Sequence, residues 1–365
     1  MPQPLKKSPD AVSGEDKLIG IELLRFASAL AVLVFHYQHF AFVGTAQPDF
    51  AAMDQPFYSA LRLLYSYGFY GVQVFWCISG FIFYWKYAAV LAEHRMTGRK
   101  FFVLRLSRLY PLHFATLLLV ALLQPVYLAH NGSYFIYSHN DLHHFVLQLF
   151  MASNWGADSP ESFNGPIWSI SIEVLVYCIF FLSLRYVSAS LPWMAAIAAG
   201  SALVRFLNIT VHPVFTCMMF FYLGCLTAIG YMRVKDSPYR LAATAAALVG
   251  IAGLLALQAF VPVKPVYFLL VFSPALIFLC VTHIPGSRII STVLVTAGSM
   301  TYSSYLLHVP IQLTVAIAAT YARWAIPIYS SAFFLCFLAG TLLLSYLCYR
   351  YFEMPAQNYL RRRFK

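Results

Sequence analysis

Charge is what this sequence has least of. Its 365 residues carry 13 acidic and 24 basic side chains, 10% of the chain, where an average soluble domain carries roughly 25%. That is too little ionic surface for a soluble globular protein of this size. Disorder is excluded from the other direction, because 61% of the residues are hydrophobic and mean hydropathy is +0.71. Short alternating segments are also missing, which argues against a β-barrel, and no repeat of 20–50 residues marks a solenoid. The seven cysteines form no C-x-x-C pair and lie within apolar runs, where they read as small packing residues. H-E-x-x-H is absent, and Ser79-Gly80 is not part of a G-x-S-x-G elbow.

What is present is a succession of long apolar runs. About 20 apolar residues cross a bilayer core, and ten segments meet that length: 18–40, 67–88, 101–128, 166–187, 191–208, 213–232, 240–260, 265–284, 298–320 and 326–350. The stretch 141–154 is too short to cross and reads as an interfacial or re-entrant helix. The predicted fold class is all-α, a polytopic membrane helical bundle in a single domain over 18–355. Residues 1–17 read as a disordered tail and 356–365 as a basic tail. The first span follows three lysines and precedes Gly44-x-Ala46, as a signal peptide would. Its length and the internal Glu22 and Arg25 argue that it is retained.

The net charge of +11 is explained by sidedness rather than by nucleic acid. With the N-terminus cytoplasmic, all of the 24 lysines and arginines fall inside except Arg62, Arg205, Lys264 and Arg323. The longest outer loop, 129–165, has none. Both termini are therefore expected in the cytoplasm. A reporter fused after Lys365 or inserted at 92–99 should read as cytoplasmic, and one near residue 135 as external. An external C-terminus would mean an odd number of spans.

Ionisable groups at membrane depth are few, and each is a functional candidate. Arg25 and His36 are eleven residues apart, which leaves them about 20° apart around a helix and about 16 Å apart along it. Glu22 precedes Arg25 at i, i+3. A buried salt bridge with a packed histidine and a functional face are both open on this pattern. Arg105 and Arg108, also at i, i+3, fit either a cytoplasmic flank or a phosphate fork. Glu173 is the acid deepest in a span, at a depth like that of His36, so the two could pair; a structural hydrogen bond is the alternative. Glu353 lies near a span end. His39, three residues beyond His36, reads as nearer the outer boundary, and its alanine variant is expected to lose much less. Asp141, His143 and His144 lack a further ligand at metal spacing and read as solvated surface.

Together these elements resemble the acyltransferase-3 family of integral membrane O-acyltransferases. Arg25, ten residues, then His36 matches the family's first-helix pattern, after Gly20-Ile21-Glu22-Leu23-Leu24. Gly71-Val72-Gln73-Val74-Phe75-Trp76-Cys77-Ile78-Ser79-Gly80-Phe81 is similar to its second-helix run, with Gln73 where an acid is common and Trp76 for phenylalanine. Arg105-x-x-Arg108, Trp168-Ser169-x-x-x-Glu173, a looser Tyr302 to His308 segment and Glu353-x-Pro355 follow in family order. The resemblance implies a cytoplasmic acyl-CoA donor, most commonly acetyl-CoA, with no resident cofactor or metal. It implies a hydroxyl acceptor reached from outside: an exported polysaccharide, or its lipid-linked repeat unit, at a bacterial inner membrane. Arg25, Arg105 and Arg108 would hold the donor phosphates. His36 would be the general base with Glu173 as its partner, and Ser79, Trp168, Ser169, Tyr302 and His308 would support them. A small-molecule or peptidoglycan acceptor, and an ion-coupled transporter using Glu173, His36 and Arg25, are the alternatives. An added esterase-like domain, found in some members, is not expected.

Overall fold

The structure, a computed structural model, describes residues 18–42, 47, 50–156, 161–283 and 288–364. The tail expected at 1–17 and the stretch Gly44–Ala46 lie outside the described residues. Within them every regular element is helical and there is no strand. The helices are α1 (Ile19–His36), α2 (Tyr58–Tyr67), α3 (Gly71–Ala92), α4 (Gly98–Asn131), α5 (Leu142–Leu149), α6 (Ile167–Tyr186), α7 (Leu191–Phe206), α8 (Pro213–Val234), α9 (Arg240–Phe260), α10 (Pro265–His283), α11 (Arg288–Ser299), α12 (Thr301–Ala322), α13 (Ser331–Cys348) and α14 (Met354–Arg363).

Nine helical segments among the described residues are long and apolar enough to cross a membrane. Helices alone satisfy their own backbone in hydrocarbon, which is why the apolar runs fold this way. The span read at 191–208 is α7, whose 16 residues reach only about 24 Å; it packs along α8. Conversely α4, at 34 residues, is longer than its span, and carries Pro111 and Pro125 within it. Gly132 ends it in the left-handed region at φ 70°, which glycine adopts without strain.

The short helix expected within 141–154 is α5. Asp141 caps it, accepting from the His144 amide at 3.0 Å. That amide, and then the His144 imidazole, holds the Asp141 carboxyl below the usual range. Gln148 anchors the other end: its side chain donates to the Ser162 carbonyl, and its backbone carbonyl accepts from His113 Nε2 of α4 at 2.7 Å.

Two segments differ from their sequence reading. α11 packs against α1; at 12 residues, with Ser291, Thr292 and Thr296, it is too short and polar to register as a span. The basic tail is helical instead. α13 passes through a π-helical turn, Tyr349–Glu353, and continues as α14, which packs on α4. The extra residue of a π turn shifts the register of the helix beyond it, and here Pro355 then sits in the first turn of α14, directly after the π turn.

Candidate active site

Five helices, α1, α3, α4, α6 and α12, enclose a cavity of about 140 Å³. Each sends polar groups into it: Arg25 from α1, Ser79 from α3, Arg105 and Arg108 from α4, Ser169, Glu173 and Tyr177 from α6, and Thr301, Tyr302 and Tyr305 from α12. Residues from distant parts of the sequence thus meet around one space.

The arginines are held by unlike means. Arg25 Nη1 pairs with Glu22 at 2.9 Å, as the i, i+3 spacing allows, and Nη2 donates to Thr301 Oγ1 at 3.2 Å. Arg105 donates to the Tyr87 hydroxyl. Its guanidinium lies 4.8 Å from the Phe83 ring centre and 5.0 Å from that of Tyr87, within cation–π range. Its Nε is buried without a hydrogen-bond partner. The Arg108 charge acts on Arg25, Glu173, Tyr302 and Glu353.

Glu173 does not pair with His36. The groups acting on its carboxylate are the Ser79 and Tyr177 hydroxyls and the charges of Arg105 and Arg108, and its Oε1 has no hydrogen-bond partner. Depth alone suggests the pair, but α6 faces the arginines at that level, so Glu173 belongs to the cavity.

His36 sits in a separate group of imidazoles. Its ring stacks on His308 with centroids 4.9 Å apart and planes at 14°, and lies 4.6 Å from His39. Gln312, a turn beyond His308 on α12, organises the set. Its Nε2 donates to the His36 carbonyl at 2.7 Å, so its Oε1 accepts from His39 Nδ1 at 3.3 Å. His308 Nδ1 faces the Ser304 carbonyl at 3.4 Å; a carbonyl only accepts, so the proton is on Nδ1 and Nε2 keeps its lone pair. His308 is wholly buried and His39 nearly so, whereas His36 is partly exposed. His36 Nδ1 is itself buried without a partner. His39, expected from sequence to matter much less than His36, is part of this assembly.

α12 joins the two groups. Tyr305 lines the cavity, its hydroxyl shares a 2.7 Å hydrogen bond with Ser169, and its ring centre is 6.1 Å from that of His308. Tyr302 donates to the Leu109 carbonyl at 2.6 Å. Trp168 packs edge-on against Trp76, 5.8 Å away, and so supports the cavity wall.

Sequence reasoning gave no role to Tyr177, Thr301 and Tyr305 of the cavity wall, nor to Glu353 and Gln312. Glu353 is 3% exposed and accepts from Ser303 Oγ at 2.7 Å, and its charge acts on Arg108 and Arg25. Its Glu-x-Pro pattern was the available signal. Gln312 carried none, being a neutral side chain in an apolar run. Arg361 of α14 reads from sequence as tail charge. Among the described residues no group of three or more His, Cys, Asp or Glu is arranged to hold a metal ion.

The described helices form a polytopic membrane bundle that gathers arginines around a polar cavity, with a histidine group farther along α1 and α12. The chain belongs to the acyltransferase-3 family: the family's model, described as an acyltransferase domain, matches residues 18–350. It is also similar to an acyltransferase, MdmB, of Streptomyces mycarofaciens, with 30% identity over 197 residues. That match covers 51% of this chain and spans 45% of the relative's length. No solved structure matches the chain.

Proposed function

We propose that this protein is a membrane-bound O-acyltransferase that moves an acyl group, most commonly acetyl, from acyl-CoA to an acceptor hydroxyl. The observation that carries the reading is that α1 carries Arg25 in the arginine-lined cavity and, about 16 Å farther along the same helix, His36 in the histidine group, with Tyr305 of α12 joining the two. Arg25, Arg105 and Arg108 receive the donor phosphates, since planar guanidinium forks match phosphate oxygens. The pantetheine arm then extends toward His36.

His36 Nε2 takes the proton of the acceptor hydroxyl as its oxygen attacks the thioester carbonyl. The new C–O bond forms, the C–S bond breaks, and the sulfur leaves as CoA with a proton. Glu173 acts at the cavity rather than at His36: its carboxylate is a counter-charge to Arg105 and Arg108. The positive-inside distribution puts the arginines toward the cytoplasm and His36 toward the outside, which fits a carbohydrate acceptor being exported, free or lipid-linked.

Replacing both Arg105 and Arg108 by alanine should weaken acyl-CoA binding while the protein still elutes as a single species in detergent. Arg108→Lys should also lose activity, because a point charge does not reproduce the fork. Turnover of labelled acetyl-CoA by purified protein with polysaccharide acceptor tests the whole reading. Protein that neither binds nor consumes acyl-CoA overturns it.

A further inference from the structure

Three consecutive arginines end α14, and they are not equivalent. Arg362 and Arg363 are exposed. Arg361 is half-buried against α4, its Nη2 3.4 Å from the Leu104 carbonyl and its Nε 3.4 Å from Ser107 Oγ. Those two partners flank Arg105 in sequence, and the charges of Arg105 and Arg108 both act on Arg361. The remaining group acting on it is the Tyr87 hydroxyl, which also accepts from Arg105; no carboxylate is among them.

Arg361 is thus held on the turn of α4 that carries Arg105, and two long hydrogen bonds are the fold's own reason for its being there. Like charges repel most strongly away from water, and topology alone is served by exposed arginines such as Arg362 and Arg363. Arg105 has a donor to spare beside it: its Nε is buried without a partner, although its Nη2 donates to Tyr87 and Glu173 supplies a counter-charge. An anion with several oxygens satisfies both the charge and the donors.

We infer that α14 is a wall of the anion site, and that Arg361 joins Arg105 and Arg108 in holding the phosphates of the donor. The inference rests on the acyl-CoA reading above and extends it to a helix beyond the last span. The π turn is the device that makes it work, since it redirects the chain so that α14 lies along α4.

The test compares full-length protein with Arg361→Gln, Arg362→Gln and Arg363→Gln, reconstituted in discs of phosphatidylcholine. Arg361→Gln should lose about ten- to hundredfold in CoA affinity, the worth of a charge-assisted hydrogen bond. Its KM for acetyl-pantetheine, which has the same thioester without the nucleotide phosphates, should be unchanged. The other two variants should match wild type with both donors. Equal loss with both donors, or a lowered thermal transition accompanying the loss, would make Arg361 a packing contact and overturn the inference. So would an Arg361→Gln variant that behaves like Arg362→Gln. Repeating the comparison with phosphatidylglycerol in the discs separates the other source of phosphate: a difference from wild type confined to those discs assigns Arg361 to a lipid headgroup and overturns the inference. Failure of wild type to bind CoA at all would instead remove the acyl-CoA reading, while loss of binding in the Arg105/Arg108 double variant alone would leave that reading standing without Arg361.

Discussion

His36→Ala should lose acyl transfer by about 10²–10⁴-fold, the usual contribution of a placed proton acceptor, with expression and CoA binding retained. The donor side should be spared because Arg25 lies about three helical turns away on α1, and Arg105 and Arg108 are on α4. His36→Gln is the sharper variant. Glutamine keeps much of the volume and one hydrogen-bonding group, so the space beside His308 stays filled and the backbone carbonyl held by Gln312 is preserved. It cannot take a proton near neutral pH. Retention of more than about a tenth of the rate by His36→Gln would rule out the general base. His39→Ala cannot serve as the control, since its ring is 4.6 Å from His36 and bonded to the residue that fixes the His36 carbonyl. It should reduce turnover through positioning, and most of that loss should return in His39→Asn, which can still donate to Gln312. The control is His143, exposed on α5, whose alanine variant should turn over as wild type.

Glu353 offers a test of how the arginines are held. Glu353→Gln keeps the hydrogen bond from Ser303 but removes the charge acting on Arg25 and Arg108. The expected result is a changed KM for acyl-CoA with kcat for bound donor largely kept. An unchanged KM, measured with folded protein, would reduce Glu353 to an anchor for α12.

What sequence could and could not say about this molecule follows from what helical periodicity encodes. Along one helix it gives both rise and azimuth, so Arg25 and His36 were legible as one face, and Glu22 with Arg25 as a pair. Between helices it gives depth alone. Glu173 and His36 matched in depth, yet the azimuth of α6 turns Glu173 to the arginines. Local geometry hid more. The α-helix ends at His36 and a 3-10 segment, Tyr37–Ala41, follows; residues three apart eclipse in that winding, which helps bring His39 over His36. Glu353 reads as a charge at a span end because the π turn that swings it inward leaves no mark in hydropathy. The arginines of α14 satisfy the positive-inside pattern whether or not one of them also has a ligand.

The seam between α3 and α8 should be the least tolerant part of the fold. A Cβ at position 80 would meet the Phe221 carbonyl oxygen, and one at 224 would meet the Cys77 carbonyl oxygen. Each glycine therefore accommodates backbone from the other helix three residues before the opposing glycine. In a membrane such close approach supplies the association that water would otherwise drive, through dispersion and small residues at the crossing. Backbone cannot rotate aside as a side chain can. Gly80→Leu and Gly224→Leu should therefore cost more than the ~1–3 kcal/mol of ordinary overpacking, and the measured outcome should be loss of the single detergent-extracted species. Gly230 lies on the same α8, and a Cβ there would have nothing within 4 Å, so Gly230→Leu should extract and melt as wild type. The milder Gly80→Ala ties packing to chemistry. Ser79 is its neighbour and its hydroxyl acts on Glu173, so a shift of α3 that leaves the bundle assembled should still weaken CoA binding. A Gly80→Leu protein that extracts with a wild-type thermal transition would show that α3 and α8 do not meet as closely as their backbones indicate.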